Sequence, residues 1–225
     1  MTPPLHLSLA GQAVDVLREL VLTGEIPSGT RVNEVELAGR LGISRGPLRE
    51  AIRHLASEGV LILVPHRGAH VPTATPDDVR ALFELRTALE CAAAELAATR
   101  RTEADIVLLR EVCAESRRTY QAGERFPHRL DLAFHQALLD AARSPQIAGQ
   151  VRLVQQRVVL LRSGLRDDPP HQHASLDDHD ALVTAIAAAD PVRASEVMRR
   201  HLARVCSQML TGLATAEALE ASTAD

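Results

Sequence analysis

The sequence predicts a mainly α-helical protein, with an N-terminal winged helix-turn-helix followed by an all-α antiparallel helical bundle. Two observations lead to this fold class. Before residue 72, short helical patterns separated by a glycine turn are followed by a β-prone hairpin. From Thr75 onward the pattern is helical almost to the C-terminus. A chain of 225 residues is long enough for two domains, which we place at 1–73 and 74–225.

The N-terminal helices follow from apolar periodicity and capping chemistry. A first helix is predicted over residues 9–23, where apolar residues recur at helical spacing. Asn33 with Glu36 three residues later forms a pattern like a capping box and predicts the start of a second helix. Ser44 is the candidate N-cap of a third helix over about 45–57.

After the third helix the pattern changes to a hairpin and then to long helices. A β-prone run at 60–64, a break at 65–68 and a return at 69–71 predict the wing of a winged helix. Thr75 and Pro76 open the helical region as N-cap and first helical residue. We expect six helices there, at about 75–99, 102–122, 126–143, 145–165, 175–189 and 191–212, with loops near 123–127 and 167–173 and a fraying tail.

Composition indicates a soluble globular protein, with 46% hydrophobic and 24% charged residues. No apolar run approaches the roughly 18 residues that span a bilayer, so we expect no membrane segment. The N-terminus lacks the basic and apolar regions of a secretory signal. Cys91, Cys113 and Cys206 are odd in number and form no C-x-x-C pair, so we expect reduced thiols in a cytoplasmic protein.

The charge distribution limits how this chain could bind DNA. A net charge of −4 argues against a protein that coats DNA nonspecifically, because such proteins are usually strongly basic. Residues 1–72 carry seven arginines and seven acidic residues, so the predicted DNA-binding domain has no net charge. Any DNA binding must therefore come from locally placed arginines.

The third predicted helix carries an arginine stripe. Arg45, Arg49 and Arg53 recur every four residues and therefore share one face. Another face is apolar and consists of Leu48, Ile52 and Leu55. An apolar inner face under an arginine face suits a helix that reads DNA, because the N-terminal residues of recognition helices usually meet base edges. Spacing alone leaves a solvated arginine face with i,i+4 partners as the open alternative.

A dense motif surrounds this stripe. It consists of Gly42-Ile43-Ser44-Arg45-Gly46-Pro47-Leu48-Arg49-Glu50-Ala51-Ile52, then Leu55, Glu58-Gly59 and Pro65-His66-Arg67-Gly68-Ala69-His70-Val71. Over about residues 9–72 the chain closely resembles the GntR family of bacterial regulators. In that family the counterparts of Arg45 and Arg49 contact DNA, and the glycine matching Gly68 lets the wing tip enter the minor groove. Gly46 departs from the family, which usually has Thr or Ala there, and so a hydroxyl that could bond phosphate is missing.

The resemblance implies a set of DNA-binding residues on the third helix and the wing. These candidates are Ser44, Arg45, Arg49, Arg53, Arg67 and Gly68. The implied partner is a double-stranded operator. A homodimer would place two winged helices on it, so the operator is expected to be pseudo-palindromic.

Four residues of the predicted bundle have the chemistry of a metal site. Asp131 and His135 are four apart on one predicted helix and can aim at one point. His179 begins a later helix, and His201 lies on the last one. One carboxylate and three imidazoles would suit a divalent transition metal. By spacing alone an exposed Asp-x-x-x-His pair is the more ordinary interpretation, because the chain has ten histidines.

Short motifs in the C-terminal region occur in a consistent order. They are Glu84-Leu85-Arg86 with Leu89-Glu90, Asp131-Leu132-Ala133-Phe134-His135, His179 with Leu182 and Ala185-Ile186, and Ala194, Met198 and His201-Leu202. Residues 75–212 resemble the FCD ligand-binding domain of FadR-type GntR regulators. In metal-binding members the matching residues Asp131, His135, His179 and His201 hold the ion, which implies a divalent metal of zinc, nickel or manganese type. Three histidines fall outside this pattern and are expected on exposed loops: His128, His171 and His173.

The implied metal suggests how an effector would bind. Four protein ligands around an octahedral ion leave two positions open, which a small organic acid could take through its carboxylate. Arg86, which the resemblance places on a pocket-facing helix, could bind the same carboxylate through two hydrogen bonds. An i,i+4 pair with Glu90 is the alternative for Arg86. We expect a repressor of a neighbouring catabolic operon that the effector releases from DNA.

Two other functions are compatible with a metal cluster. A metal-dependent hydrolase also needs a metal with open coordination positions, but we find no convincing general base beside the cluster and no nucleophile motif, and the DNA module would stay unexplained. A metal-only sensor or storage bundle is the third interpretation. The sequence therefore favours a regulator over an enzyme.

Overall fold

The computed structural model of the protein describes residues 9–122, 128–162 and 169–223. In chain order its elements are α1 (Leu9–Leu22), α2 (Glu34–Leu41), α3 (Arg45–Ser57), β1 (Ile62–Val64), β2 (Gly68–His70), α4 (Pro76–Arg100), α5 (Glu103–Gln121), α6 (His128–Ala142), α7 (Pro145–Arg162), α8 (Pro169–Ala187) and α9 (Pro191–Thr223). The predicted mainly α-helical class is confirmed. The described chain forms two compact units, one of residues 9–74 with 156–162 and one of 75–122, 128–155 and 169–223.

The first unit is the predicted winged helix-turn-helix. Helices α1 and α2 both pack against α3, and β1 pairs with β2 as an antiparallel hairpin in which Leu63 faces Ala69. The core includes residues from all three helices and from the segment before β1, among them Leu17, Leu37, Leu48, Leu55, Val60 and Leu61. Ile62 and Leu63 of β1 are exposed, whereas Ala69 of β2, which pairs with Leu63, is buried.

The turn between α2 and α3 forms as the local sequence predicts. Asn33 caps α2, because its side-chain oxygen accepts hydrogen bonds from the backbone amides of Val35 and Glu36. Gly42 ends α2 in the left-handed conformation with φ of +64°. Ser44 occupies the N-cap position of α3, but its hydroxyl makes no capping hydrogen bond. The Ser44 hydroxyl therefore accepts no hydrogen bond from the backbone amides in the first turn of α3.

Gly42 and Gly39 form a matched pair that tests this turn. A Cβ at either position would meet no atom within 4 Å, so only the backbone conformation distinguishes them. We expect Gly42→Ala to lower the free energy of unfolding by about 1 to 2 kcal/mol, because a side chain is strained in the left-handed region. Gly39→Ala, inside α2, should raise it by up to about 1 kcal/mol. Urea unfolding followed by circular dichroism measures both, and changes of the same sign would contradict this account.

The second unit is a helical bundle. Helix α4 packs against α6, α8 and α9, α5 packs against α6 and α8, and α8 packs against α9. Its largest fully buried side chains are Leu109, Phe134, Leu138, Leu139, Leu176, Leu182, Ile186 and Met198. The bundle thus surrounds one apolar interior built from α4, α5, α6, α8 and α9. In the part of the chain that the structure describes, no helix is long and apolar enough to cross a membrane.

Capping boxes fix the starts of α4 and α5. The Thr75 side chain accepts from the amide of Asp78, whose carboxylate accepts from the amide of Thr75. Thr102 and Asp105 repeat the arrangement at α5. Burial raises the pKa of Asp105, but hydrogen bonds from Thr102 and the charge of Arg143 outweigh it and lower the pKa overall. These two helix starts are therefore set by local sequence.

Helix lengths differ from the prediction at two places. Helix α8 begins at Pro169, six residues before the predicted 175, since proline is tolerated in the first turn of a helix. The part of the predicted 167–173 loop at 167–168, and the whole 123–127 loop, lie outside the described residues. Helix α9 continues to Thr223 instead of ending near 212, because the segment is rich in alanine, leucine and glutamate, which favour helix.

The histidines expected on loops are only partly described. His173 lies within α8 and not on a loop, because the helix starts earlier than predicted; its side chain is exposed, as expected. The side chains of His128 and His171 lie outside the described part of the structure. His173 is therefore the one of the three whose surroundings are known, and its Nδ1 lies 3.0 Å from Asp177 Oδ2.

Candidate DNA-binding face and metal centre

Helix α3 presents the two faces that its sequence predicts. Its apolar residues, Leu48, Ile52 and Leu55, are buried in the first unit. Arg45, Arg49 and Arg53 are exposed on the opposite side. The partner of Arg49 is Glu34 on α2, at 2.9 Å between Nε and Oε2, and not an i,i+4 neighbour. An exposed pair of this kind contributes at most about 1 kcal/mol, so the guanidinium of Arg49 can exchange partners at little cost.

Arg45 and Arg49 line a cleft at the N-terminal end of α3. Arg31 also lines this cleft, together with residues of α2 and its cap, Asn33, Glu34 and Val35. Arg31 was not predicted from the sequence, because it precedes α2 and shares no helical periodicity with the arginine stripe. Only the fold brings it to the other two arginines. Three guanidinium groups beside one cleft give the uncharged domain a local positive surface.

The wing places Arg67 and Gly68 at the turn of the hairpin. Arg67 is exposed, and Gly68 begins β2 with φ of +85°, which favours glycine. A Cβ on Gly68 would lie 3.4 Å from Nε of Arg31, an ordinary van der Waals contact, and Arg31 itself forms an isolated antiparallel bridge with His70 of β2. The wing and the arginine cleft are thus connected through Arg31.

The four predicted metal ligands come together inside the bundle. Helix α6 carries Asp131 and His135, α8 carries His179 and α9 carries His201. One ligand atom from each residue lies within 4.8 Å of the others. The three histidines are buried, and the side chain of Asp131 is 13% exposed. Packing of three helices therefore joins residues that are up to 70 positions apart in the sequence.

Burial keeps two of these imidazoles neutral. Asp131 Oδ1 lies 3.7 Å from Nε2 of His179 and 3.9 Å from Nε2 of His135. Burial, followed by the neighbouring His201, lowers the pKa of His179 well below its ordinary value. Burial, followed by His135, lowers the pKa of His201 to about 3. A neutral imidazole keeps a lone pair on one ring nitrogen and is the form that ligates metals.

His179 gives a direct test of whether these residues fit a metal ion. Among the described residues, neither of its buried ring nitrogens has a hydrogen-bond partner. Leaving a buried polar atom unsatisfied costs about 1 to 3 kcal/mol. Phe134 stacks on the imidazole at 3.9 Å between ring centroids and 11° between planes, which holds its orientation. One carboxylate and three imidazoles around a common point therefore fit a divalent transition metal.

Arg86 and Glu90 on α4 adjoin this centre. Both are buried, and Arg86 Nε donates to Glu90 Oε1 at 2.5 Å, so the intrahelical pair considered from the sequence is present. Arg86 Nη2 also lies 3.3 Å from His135 Nε2, and Glu90 Oε2 lies 2.6 Å from His135 Nδ1. The contact of Glu90 with His135 was not predicted, because nothing in the sequence relates positions 45 residues apart.

The ionisation of Glu90 follows from its two neighbours. Burial alone would raise its pKa, but the positive charge of Arg86 and the contact with His135 outweigh burial and lower the pKa to about 2. Glu90 is therefore a buried carboxylate whose two oxygens face different groups. A buried charge without such partners would be costly.

Both parts of the chain match known family models. Residues 9–71 match the model described as bacterial regulatory proteins, gntR family, and residues 81–204 match the FCD domain. The Nta operon transcriptional regulator of Aminobacter aminovorans is 35% identical over 136 residues, which are 60% of this chain and 64% of that protein. The chain thus spans just under two thirds of that relative.

Two further similarities extend over most of the chain. The probable D-xylose utilization operon transcriptional repressor of Paenarthrobacter nicotinovorans is 28% identical over 203 residues, 87% of this chain and 86% of that protein. The solved structure of E. coli McbR/YncC has a TM-score of 0.79 at 20% identity, covering 92% of this chain and 99% of that one. At this identity the structural similarity shows a shared fold and no more.

Proposed function

This chain belongs to the GntR family of DNA-binding transcription regulators and carries an FCD domain, and we propose that a small carboxylate effector, bound at a divalent metal in that domain, modulates its affinity for operator DNA. The family consists of transcription regulators and not of enzymes, and its members typically act as dimers. The observation that supports the proposal is the quartet of Asp131, His135, His179 and His201, whose three histidines are buried and in which the ring nitrogens of His179 have no hydrogen-bond partner among the described residues.

The proposed DNA-binding part is residues 1–73. Its contacts come from the start of α3, the arginine stripe and the wing: Ser44, Arg45, Arg49, Arg53, Arg67 and Gly68. Arg45 stands at the N-terminal end of α3, where recognition helices usually meet base edges. The cleft that Arg45 shares with Arg49 and Arg31 supplies the local positive charge that the neutral domain needs to bind phosphates. A symmetric dimer would read a pseudo-palindromic operator.

The proposed sensing part is residues 74–225. Asp131 and the three histidines would hold an ion of zinc, nickel or manganese type, because mixed nitrogen and oxygen ligands suit these metals. When bound, the ion would supply positive charge and open coordination positions for a carboxylate. Arg86 would donate to the same carboxylate, since its guanidinium is buried beside His135. Burial excludes water and strengthens each of these charge interactions.

We propose that the protein represses a catabolic operon and that the effector releases it from DNA. The name of the Paenarthrobacter relative, a probable repressor of a sugar utilization operon, supports this sign of regulation. Release requires that the effector bind the DNA-free conformation more tightly than the DNA-bound one. A coupling of 1 to 3 kcal/mol, about 5- to 150-fold in operator affinity, is typical of such systems.

A gel-shift experiment on the protein's own promoter tests this proposal. We expect a specific complex that D- or L-lactate, malate or succinate weakens only when zinc, nickel or manganese is present, because the proposed carboxylate site includes the ion. A fragment of unrelated sequence at the same salt concentration controls for nonspecific binding. A complex that none of these acids alters, with or without metal, would contradict the effector site, and a complex altered by metal alone would indicate a metal-only sensor.

A further inference from the structure

We propose that Glu90 and Arg86 are a positioning pair that tunes the metal centre in opposite directions. Glu90 strengthens metal binding by orienting the imidazole of His135, and Arg86 weakens it by competing for the same imidazole. This inference rests on the proposed metal site and concerns how tightly that site holds its ion. Under this inference α4 controls metal affinity, although it carries none of the four ligands.

Glu90 contacts both Arg86 and His135. Its Oε2 lies 2.6 Å from Nδ1 of His135, and both side chains are almost completely buried. The ring N–H is not aligned with that oxygen, so a small rotation of the ring or of the carboxylate is needed for a linear hydrogen bond. Oε1 of Glu90 accepts from Arg86 Nε, and arginine cannot lose its proton in a protein. Glu90 is thus held as a carboxylate that can only accept.

The acceptor-only carboxylate determines which nitrogen of His135 carries the proton. With Glu90 accepting at Nδ1, a ring that ligates a metal has its proton there and its lone pair on Nε2. Nε2 is the nitrogen that lies 3.9 Å from Oδ1 of Asp131, another member of the quartet. A carboxylate bound to the far side of a metal-ligating histidine fixes the tautomer and the ring orientation, and loss of such a partner costs about 10- to 100-fold in metal affinity.

Arg86 contacts the other ring nitrogen of His135. Its Nη2 lies 3.3 Å from Nε2 of His135, within reach of the lone pair that Glu90 directs towards the quartet. One lone pair can accept a guanidinium N–H or ligate an ion, but not both. The guanidinium must therefore move away from Nε2 before His135 can ligate, and its positive charge opposes the approach of a cation. Arg86 can move in this way while its Nε stays on Glu90, because the two contacts use different nitrogens.

A purely structural role for the pair makes a different prediction. A buried ion pair that serves only the fold would lower stability when either partner is removed, by about 3 to 5 kcal/mol in other proteins. Zinc affinity would then be unchanged, or would fall in both variants together. Opposite changes in zinc affinity therefore distinguish a tuning pair from a structural one.

The experiment measures zinc affinity of the full chain, with zinc alone and a competing chromophoric chelator at one pH and ionic strength. We expect Glu90→Gln to weaken zinc binding by about 10- to 100-fold, and Arg86→Gln to tighten it. Glu95→Gln, an exposed glutamate on the same helix, is the matched control and should bind as wild type. If Arg86→Gln fails to fold, Arg86→Lys is the second variant. It keeps the charge, but a lysine ammonium cannot contact Glu90 and His135 through two separate nitrogens as the planar guanidinium does. It should also bind zinc more tightly.

Nitrogen NMR of the histidine rings gives a second, independent readout. In the metal-free wild type we expect His135 in the Nδ1–H form, and in Glu90→Gln we expect that form to lose its dominance, because an amide can donate to Nδ1. Equal losses of zinc affinity in the Glu90 and Arg86 variants, or an unchanged tautomer in Glu90→Gln, would overturn the inference. If the wild type binds no zinc, nickel or manganese, the proposed metal site itself is wrong; if His201→Ala loses zinc and Glu90→Gln does not, only this inference is wrong.

Discussion

Replacing Arg45 or Arg49 by alanine is expected to lower the affinity for operator DNA by about 10- to 100-fold each. Both arginines are exposed at the cleft of α3, and residues 1–72 carry no net positive charge that could compensate for their loss. A bidentate arginine contact with guanine is worth about 1 to 3 kcal/mol. Because Arg49 also pairs with Glu34, a contact of Arg49 with DNA must replace that ion pair, which reduces its net contribution to operator affinity.

Fluorescence anisotropy with a labelled promoter fragment measures these affinities. Arg40→Ala is the matched control, since Arg40 is exposed on α2, pairs with Glu25 and does not line the cleft. If an arginine contacts a base, its alanine variant should lose discrimination between operator and unrelated DNA; if it contacts phosphate, affinity for all sequences should fall together. An Arg40→Ala variant as weak as Arg45→Ala would show that binding depends on overall charge and not on the cleft.

Replacing both His179 and His201 by alanine is expected to lower metal affinity by at least about three orders of magnitude, because four-ligand zinc sites bind with about 10 to 16 kcal/mol and two ligands are lost. Among the described residues the ring nitrogens of His179 have no hydrogen-bond partner, so its replacement breaks no side-chain hydrogen bond there, although the stacking contact with Phe134 is lost. In the wild type, metal at 1,000 times its dissociation constant should stabilise the folded state by about 4 kcal/mol. A chelator should remove that stabilisation, and the double variant should not respond to the chelator.

Calorimetric titration gives the affinity, and thermal unfolding with and without chelator gives the stabilisation. His173→Ala is the control for the loss of a histidine from α8, because His173 is exposed and lies outside the quartet. A double variant that binds metal and effector as tightly as wild type would contradict the assignment of the four ligands.

Features that depend on neighbouring residues could be predicted from the sequence. The cap at Asn33, the end of α2 at Gly42 and the N-cap at Thr75 involve residues no more than four positions apart. The arginine and apolar faces of α3 follow from the helical repeat alone. The predicted start of α8 at 175 is too late, because the prolines within 167–173 indicate a loop, whereas Pro169 begins the helix.

Features that depend on packing could not be predicted in this way. The spacing of Asp131 and His135 places them on one helix face, but only the contacts of α8 with its neighbours bring His179 beside them, and the sequence suggested this through family resemblance. Arg31 reaches the cleft of Arg45 and Arg49 from the segment before α2. Glu90 reaches His135 because α4 packs against α6, and no pattern along the chain contains that contact.

Operator affinity across four conditions tests the central claim most directly: the wild-type chain alone, with zinc, with an acid that acts in the gel shift, and with both. We expect the acid to weaken operator binding about 5- to 150-fold in the presence of zinc and to have little effect without it. In the variant lacking His179 and His201, the acid should have no effect under either condition. An equal response of wild type and variant would contradict the claim that the effector acts through the metal centre.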